Sequence, residues 1–401
     1  MDKYFIDYIA GFTCSREKIY FITPYIYAIQ EYDCRYKKAD ILVDFPKEVQ
    51  KNGAFERIII CGHKIYLFPC LADNIYYFDL ENKSYHRFVI PQSILECMPK
   101  RKNLEVIEYK TNIYCVCRCP NMVMCIDVKT DDFKIYSMPL EMIEERISME
   151  GYHFSLCSLD NRLLYTFADD IIIEFSTDRK EFKVNYLDAE KSEISQNNCD
   201  VILGLCADKN GNLWMYNFEG EVFKVIESMK IKINIPKNLK SRYNDGRHEQ
   251  PGIDRIFIID DDLCFALRSQ CKILRYNVKT EHITLCSNNL AKWNESGRQV
   301  AFFNYAQVDK ETIWLYNEND GAFYKWNYIK GFVERVEITL PITAFLGSQS
   351  AKDYLYCNII MRKDLEGYIA YIKNTCEEKK QENDVNHGYK IYHDLNNNNY
   401  F

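Results

Sequence analysis

The residues of this chain that could do chemistry point to binding before catalysis. The stretch Asn238-Leu239-Lys240-Ser241-Arg242-Tyr243-Asn244-Asp245-Gly246-Arg247-His248-Glu249-Gln250 gathers two arginines, a lysine, a tyrosine and a histidine. Arg242 and Arg247 each offer a planar fork that matches a carboxylate or a phosphate, and Tyr243 and His248 add polar rings. The plainer alternative is a solvated loop. A second stretch, Trp293-Asn294-Glu295-Ser296-Gly297-Arg298, sets Trp293 near Arg298, a pairing enriched where proteins bind one another. An anchoring tryptophan packed on its own blade is the alternative there.

Metal and nucleophile signals are weaker. Cys115, Cys117 and Cys119 alternate along one strand-like run, so all three face one side at about 7 Å per step. That spacing does not close a tetrahedral zinc site without other ligands, and no histidine is near in sequence. Core packing is the reading for these cysteines. Asp260-Asp261-Asp262 falls in a turn, where a solvated acidic loop competes with a cation site. The seven histidines are scattered, and the chain has no Gly-x-Gly-x-x-Gly, phosphate loop or Gly-x-Ser-x-Gly elbow. No cofactor, metal or catalytic residue is therefore expected.

Composition narrows the class. Of 401 residues, 31 are Tyr and 23 Phe, a bias that suits pleated, half-buried strands. A net charge of −7 without a concentrated basic face argues against nucleic acid. No apolar run reaches the roughly 18 residues of a membrane-spanning helix. Seventeen cysteines with no Cys-x-x-Cys pair, and an N-terminus without a secretory signal, suggest free thiols and a cytoplasmic location.

What would position the loops is a repeat. A short phrase recurs at Lys18-Ile19-Tyr20-Phe21, Lys64-Ile65-Tyr66-Leu67, Asn112-Ile113-Tyr114-Cys115 and Arg162-Leu163-Leu164-Tyr165. It returns at Asn212-Leu213-Trp214-Met215, Asp262-Leu263-Cys264-Phe265, Thr312-Ile313-Trp314-Leu315 and, more loosely, Asp353-Tyr354-Leu355-Tyr356. The intervals are 46, 48, 50, 50, 50, 50 and 41 residues. A second mark follows 13 residues behind the first: Ile19 to Tyr32, Ile65 to Phe78, Ile113 to Ile126, Leu263 to Tyr276 and Ile313 to Trp326. In the fourth unit the step is 12, to Phe175, and in the fifth it lands on Ile226. Asp, Asn or Ser often follows the mark and can accept from the backbone of a turn.

Tandem units of about 50 residues with four short strands each predict an all-β fold. The expectation is one β-propeller of four-stranded antiparallel blades, eight in number, with seven as the fallback. The approximate blades are 7–46, 53–91, 103–140, 152–188, 200–238, 252–288, 299–341 and 342–395. Residues 375–387 read as a flexible insertion and 396–401 as a disordered tail. Closure falls to the C-terminal run 389–395 or to the first six residues, and the C-terminal run is the expected outer strand of blade eight.

The units resemble kelch-like propeller repeats in length and in the phrase Asn74-Ile75-Tyr76-Tyr77-Phe78-Asp79-Leu80-Glu81-Asn82-Lys83, although no Gly-Gly pair closes a second strand. Asp208-Lys209-Asn210-Gly211-Asn212-Leu213-Trp214 in the fifth unit looks like repeats of streptogramin-lyase and sensor-type propellers. The long inter-blade connections all emerge on one face, where a scaffold carries function. A non-catalytic module binding a protein or peptide through those loops is the leading reading. The alternatives are a metal-assisted lyase or hydrolase at the channel mouth and a carbohydrate or small-ligand binder using Tyr and Trp.

Overall fold

The computed structural model describes residues 3–351 apart from 6–7, 103, 118–120, 140–154, 169–170, 188–201, 218–219, 227–228, 234–242, 245–248, 251–252, 260–261, 268–271, 286–301, 310, 318–320, 328, 342 and 345–347. These residues form seven four-stranded antiparallel sheets, each of four strands consecutive in sequence. The innermost strands are Gly11–Cys14, Phe55–Cys61, Leu104–Tyr109, Leu156–Leu159, Ile202–Ala207, Ile253–Ile259 and Phe302–Gln307. The architecture is a single propeller with seven blades.

The recurring phrase is the second strand of each blade, and the 13-residue step is its cross-strand partner. Ile19 lies opposite Tyr32, Ile65 opposite Phe78, Ile113 opposite Ile126, Leu263 opposite Tyr276 and Ile313 opposite Trp326. Blade four pairs Leu163 with Phe175, one residue sooner. Blade five follows blade four: Leu213 lies opposite Val225, so the step is 12 and the mark is not Ile226. Ile226 instead pairs with Met229 in a tight outer hairpin and is 39% exposed.

The residue after the mark does what its chemistry suggested. Asp33, Asp79, Asp127 and Asn277 each accept two backbone N–H groups of the turn to the outer strand, at 2.8–3.1 Å. Ser176 and Asn327 accept one each. Four residues beyond each acceptor the backbone turns left-handed, at Lys37, Lys83, Asp131, Lys180, Glu281 and Gly331. Only the last is glycine, and an L-residue in that region costs roughly 1–2 kcal/mol. Lys83→Gly is therefore expected to raise stability by about 0.5–1 kcal/mol, net of the freer unfolded chain. Urea denaturation would read it, and a loss of stability would contradict the turn assignment.

Both faces of the second strand are buried because neighbouring blades pack on each. Ile19 and Phe21 point to one seam, and Tyr20 and Ile22 to the other. The buried apolar residues accordingly form seven clusters, one for each contact between adjacent blades. This explains a second strand that reads as continuous apolar sequence in an antiparallel sheet, since no face is left for water.

The seventh seam corrects the blade count. Phe12, Phe21 and Tyr32 of blade one pack directly against Trp314, Tyr316 and Phe323 of blade seven. The rings of Phe12 and Phe323 meet edge to face at 4.9 Å, and the Ile9 N–H donates to the Tyr316 hydroxyl at 3.0 Å. An eighth blade has no space between them, so the fallback of seven holds and eight does not.

A short ribbon lies beside the closing seam. Lys3–Phe5 pairs antiparallel with Thr339–Pro341 as a separate two-stranded ribbon, and Ile338 and Leu340 join the closing cluster. Beyond it, the Asp44 carboxylate at the end of the outer strand of blade one accepts from the hydroxyls of Ser348 and Ser350 and the N–H of Gln349. Among the described residues, the pairing beside this seam thus involves the N-terminal segment. The C-terminal run 389–395, the insertion 375–387 and the tail 396–401 lie outside the described residues.

Candidate functional site at the mouth of the ring

Four innermost strands share an irregularity at their first residues. The register shifts between Phe55 and Arg57, Ile202 and Gly204, Ile253 and Arg255, and Phe302 and Asn304. One extra residue in each case bends the strand and re-aims its neighbours, as bulges do beside functional sites. All four shifts lie at the end of the ring where the inter-blade connections enter.

In blade two the extra residue is Glu56, and charged groups of blades two and three converge on it. The Arg57 guanidinium donates to Glu105 of blade three at 2.8 Å, with both side chains at least three-quarters buried. Arg101, in the connection between the blades, donates to Glu56 at 3.2 Å and is 65% exposed. The Lys102 ammonium, on an almost fully buried side chain, lies 3.6 Å from Asp73. Two interlocked ion pairs, one sheltered and one open to water, therefore stand at the mouth.

Cys70 lies beneath them. Burial, reinforced by the Glu56 carboxylate, pushes its thiol up to about 11. At neutral pH it is a protonated thiol and a poor nucleophile. The site can recognise charge and shape, but its described residues hold no group poised for nucleophilic attack.

Sequence reasoning missed this cluster. The available signal was the charged interruption opening an otherwise apolar inner strand, Phe55-Glu56-Arg57-Ile58-Ile59-Ile60, echoed in Ile253-Asp254-Arg255-Ile256-Phe257-Ile258. Of the residues singled out from sequence, Arg242, Arg247, His248, Trp293 and Arg298 lie outside the described residues. Tyr243 is placed by its backbone, in the two-residue strand Tyr243–Asn244 paired with Glu249–Gln250. Those four residues form a two-stranded ribbon of their own on the connection into blade six.

The remaining candidates resolve into structure. Cys115 and Cys117 sit in the apolar seam between blades two and three, while Cys119 lies outside the described residues. Asp262 is buried, accepts from Arg275 Nε at 2.5 Å and from Asn277 at 2.8 Å, and so braces its own blade. Among the described residues, no three His, Cys, Asp or Glu side chains are grouped to hold a metal ion. His63 is 3.6 Å from Asp79, but in the turns at the far end of blade two from the mouth.

The phrase of the fifth unit is also explained by its turn. Asp208 accepts from the backbone N–H groups of Asn210 and Asn212, both at 2.9 Å, from the Asn212 amide at 2.7 Å and from the Trp214 indole at 3.0 Å. Gly211 takes φ +82°, which few other residues adopt. Burial alone would raise the Asp208 carboxyl, but the Asn212 and Trp214 donors outweigh it and hold it below the usual range. A carboxyl lowered on folding stabilises above the unfolded value near 3.9 and loses that contribution as pH falls through the folded value. Asp208→Asn is expected to cost about 1–2 kcal/mol at pH 7 and to flatten the melting curve below about pH 4. An unchanged acid limb in thermal melts from pH 6 to pH 2.5 would contradict it.

No protein-family model and no curated protein matches the sequence. Solved structures do share the fold. YCF48 bound to D1 peptide superposes with a TM-score of 0.57 at 7% identity, over 82% of this chain and 94% of that one. A streptogramin B lyase structure gives 0.54 at 12% identity over 81% and 96%. BamB from Moraxella catarrhalis gives 0.50 at 12% identity over 80% and 86%. At such identities the likeness is one of fold.

Proposed function

We propose that this propeller is a non-catalytic interaction module that takes a protein or peptide segment at the mouth of its ring. The observation that carries this reading is the pair of inter-blade contacts Arg57–Glu105 and Arg101–Glu56. A charged lattice with one exposed guanidinium can exchange partners with charged groups of a peptide. A solved neighbour with a bound peptide lends the fold a precedent. Arg242, Tyr243, Arg247, His248, Trp293 and Arg298 enter this proposal from their sequence chemistry alone. The repeat is kelch-like in blade plan, supported by unit length and turn phrase. A cytoplasmic location fits the free thiols, which include the buried Cys61, Cys115, Cys157 and Cys264. Among the described residues no helix is long and apolar enough to cross a membrane.

The test is affinity capture from the native organism with wild type and with two charge-altered forms, Arg57→Glu/Arg101→Glu and Arg242→Ala/Arg247→Ala. The expected outcome is a stoichiometric partner whose recovery falls at least tenfold in the first form. Equal recovery by all three proteins, or no stoichiometric partner, would overturn the reading.

A further inference from the structure

The outer edge of blade five stands apart from the other described outer strands. Its strand Met229–Lys232 exposes two aliphatic side chains, Met229 at 57% and Ile231 at 47%. Ile226, opposite Met229, is exposed at 39%, and Leu285 on the outer strand of blade six at 42%. Register decides which side each occupies. Ile231 lies opposite Lys224, which lies opposite Trp214, a member of the cluster between blades five and six. Leu285 lies opposite Leu274 of that same cluster. The exposed aliphatics therefore share the side on which blades five and six face each other.

Lys230 and Lys232 take the other side. They lie opposite Val225 and Phe223, which pack against blade four. Lys183 of blade four lies opposite Glu174, in the row that faces blade five, and adds a third ammonium to this side. Lys232 is paired with Glu221, whereas Lys230 has no carboxylate partner among the described residues.

The Ile233 N–H donates to the Val222 carbonyl at 2.8 Å, so residues 229, 231 and 233 direct their polar groups inward to the third strand. Those of Lys230 and Lys232 then point outward, along an edge that no strand pairs with among the described residues. An extended segment laid antiparallel on this edge would pair its backbone with these two residues. Its side chains opposite them would share the lysine side, and the alternate ones would share the aliphatic side.

We propose that the outer edge of blade five is a strand-addition site for a partner segment that alternates acidic and apolar residues. Lysines commonly protect sheet edges from like strands. Here they stand beside exposed aliphatics rather than polar groups, so the same lysines select for carboxylates. The site is independent of the mouth and stands whether or not the mouth binds a peptide.

The probe is a capped peptide with the core Glu-Val-Glu-Val-Glu, titrated against the full chain by fluorescence anisotropy. Its twins carry Lys-Val-Lys-Val-Lys, or the acidic core with N-methylated glutamates. The acidic peptide is expected to bind about tenfold or more tightly than either twin, since two attractive cross-strand pairs replace two repulsive ones. Lys230→Glu/Lys232→Glu should invert the order of the acidic and basic peptides. That gain for the basic peptide reports a folded protein. Lys134→Glu, an exposed lysine on the outer strand of blade three, should leave the affinities unchanged, which ties the binding to blade five. Equal binding of the N-methylated twin, an order that survives charge reversal, or no binding at any soluble peptide concentration would overturn the proposal.

Discussion

Phe323→Ala is expected to destabilise the protein by about 3–5 kcal/mol, the range for deleting a buried phenylalanine ring. Phe323 is fully buried and meets Phe12 at 4.9 Å, Tyr316 at 5.2 Å, Trp314 at 6.2 Å and Phe21 at 6.4 Å. These rings come from the first and last blades, so the cavity opens in the seam that shuts the ring. Each blade packs on two neighbours, and losing one seam leaves blades one and seven half covered. Hydrogen exchange should therefore quicken first in Lys18–Ile22 and Thr312–Asn317, ahead of the central blades. Phe175→Ala, in the seam between blades three and four, is the comparison. A loss under about 1 kcal/mol, or exchange spread evenly over all blades, would contradict direct closure of blade seven on blade one.

Gly11→Ala should cost about 2–3 kcal/mol, and it links the contact between blades one and two to the mouth. A Cβ on Gly11 would lie 2.5 Å from the backbone carbonyl oxygen of Glu56. Backbone cannot swing aside as the end of a side chain can. The two innermost strands must separate, and next to this contact the Ile60 N–H donates to the Thr13 hydroxyl at 3.3 Å. The strain falls on the bulge that aims Glu56 at Arg101. Partner recovery in the capture experiment should fall along with stability. Gly11→Ala with unchanged melting and unchanged recovery would show that the strands part freely and that the bulge does not set the site.

How much of this was legible in the chain follows from sequence distance. The partner of Ile65 is Phe78 because a hairpin of that length brings no other residue opposite it. Asp79 holds the next turn through N–H groups two and three residues on. Such relations are local, and every blade repeats them, so phrase and step were enough to find them. Where the step failed, in blade five, a shorter turn moved the partner by one residue, from Ile226 to Val225.

The mouth was less legible. Arg57 and Glu105 are 48 residues apart on different blades, and neither belongs to a recognisable motif. Only the packing of blade three on blade two, together with the bulge at Glu56, brings them to 2.8 Å.

The sequence by itself determined the β-propeller, the second strands and the turn chemistry, because each depends on contacts within one blade. Tertiary structure alone decided that the ring shuts at seven. That choice rests on contacts such as Ile9 with Tyr316, 307 residues apart, and Asp44 with Ser348, 304 apart. The fit between the first and last blades depends on the twist accumulated around the whole ring, and no single repeat encodes it. The site at the mouth belongs to the same class, since blades two and three must pack before Arg57 can meet Glu105.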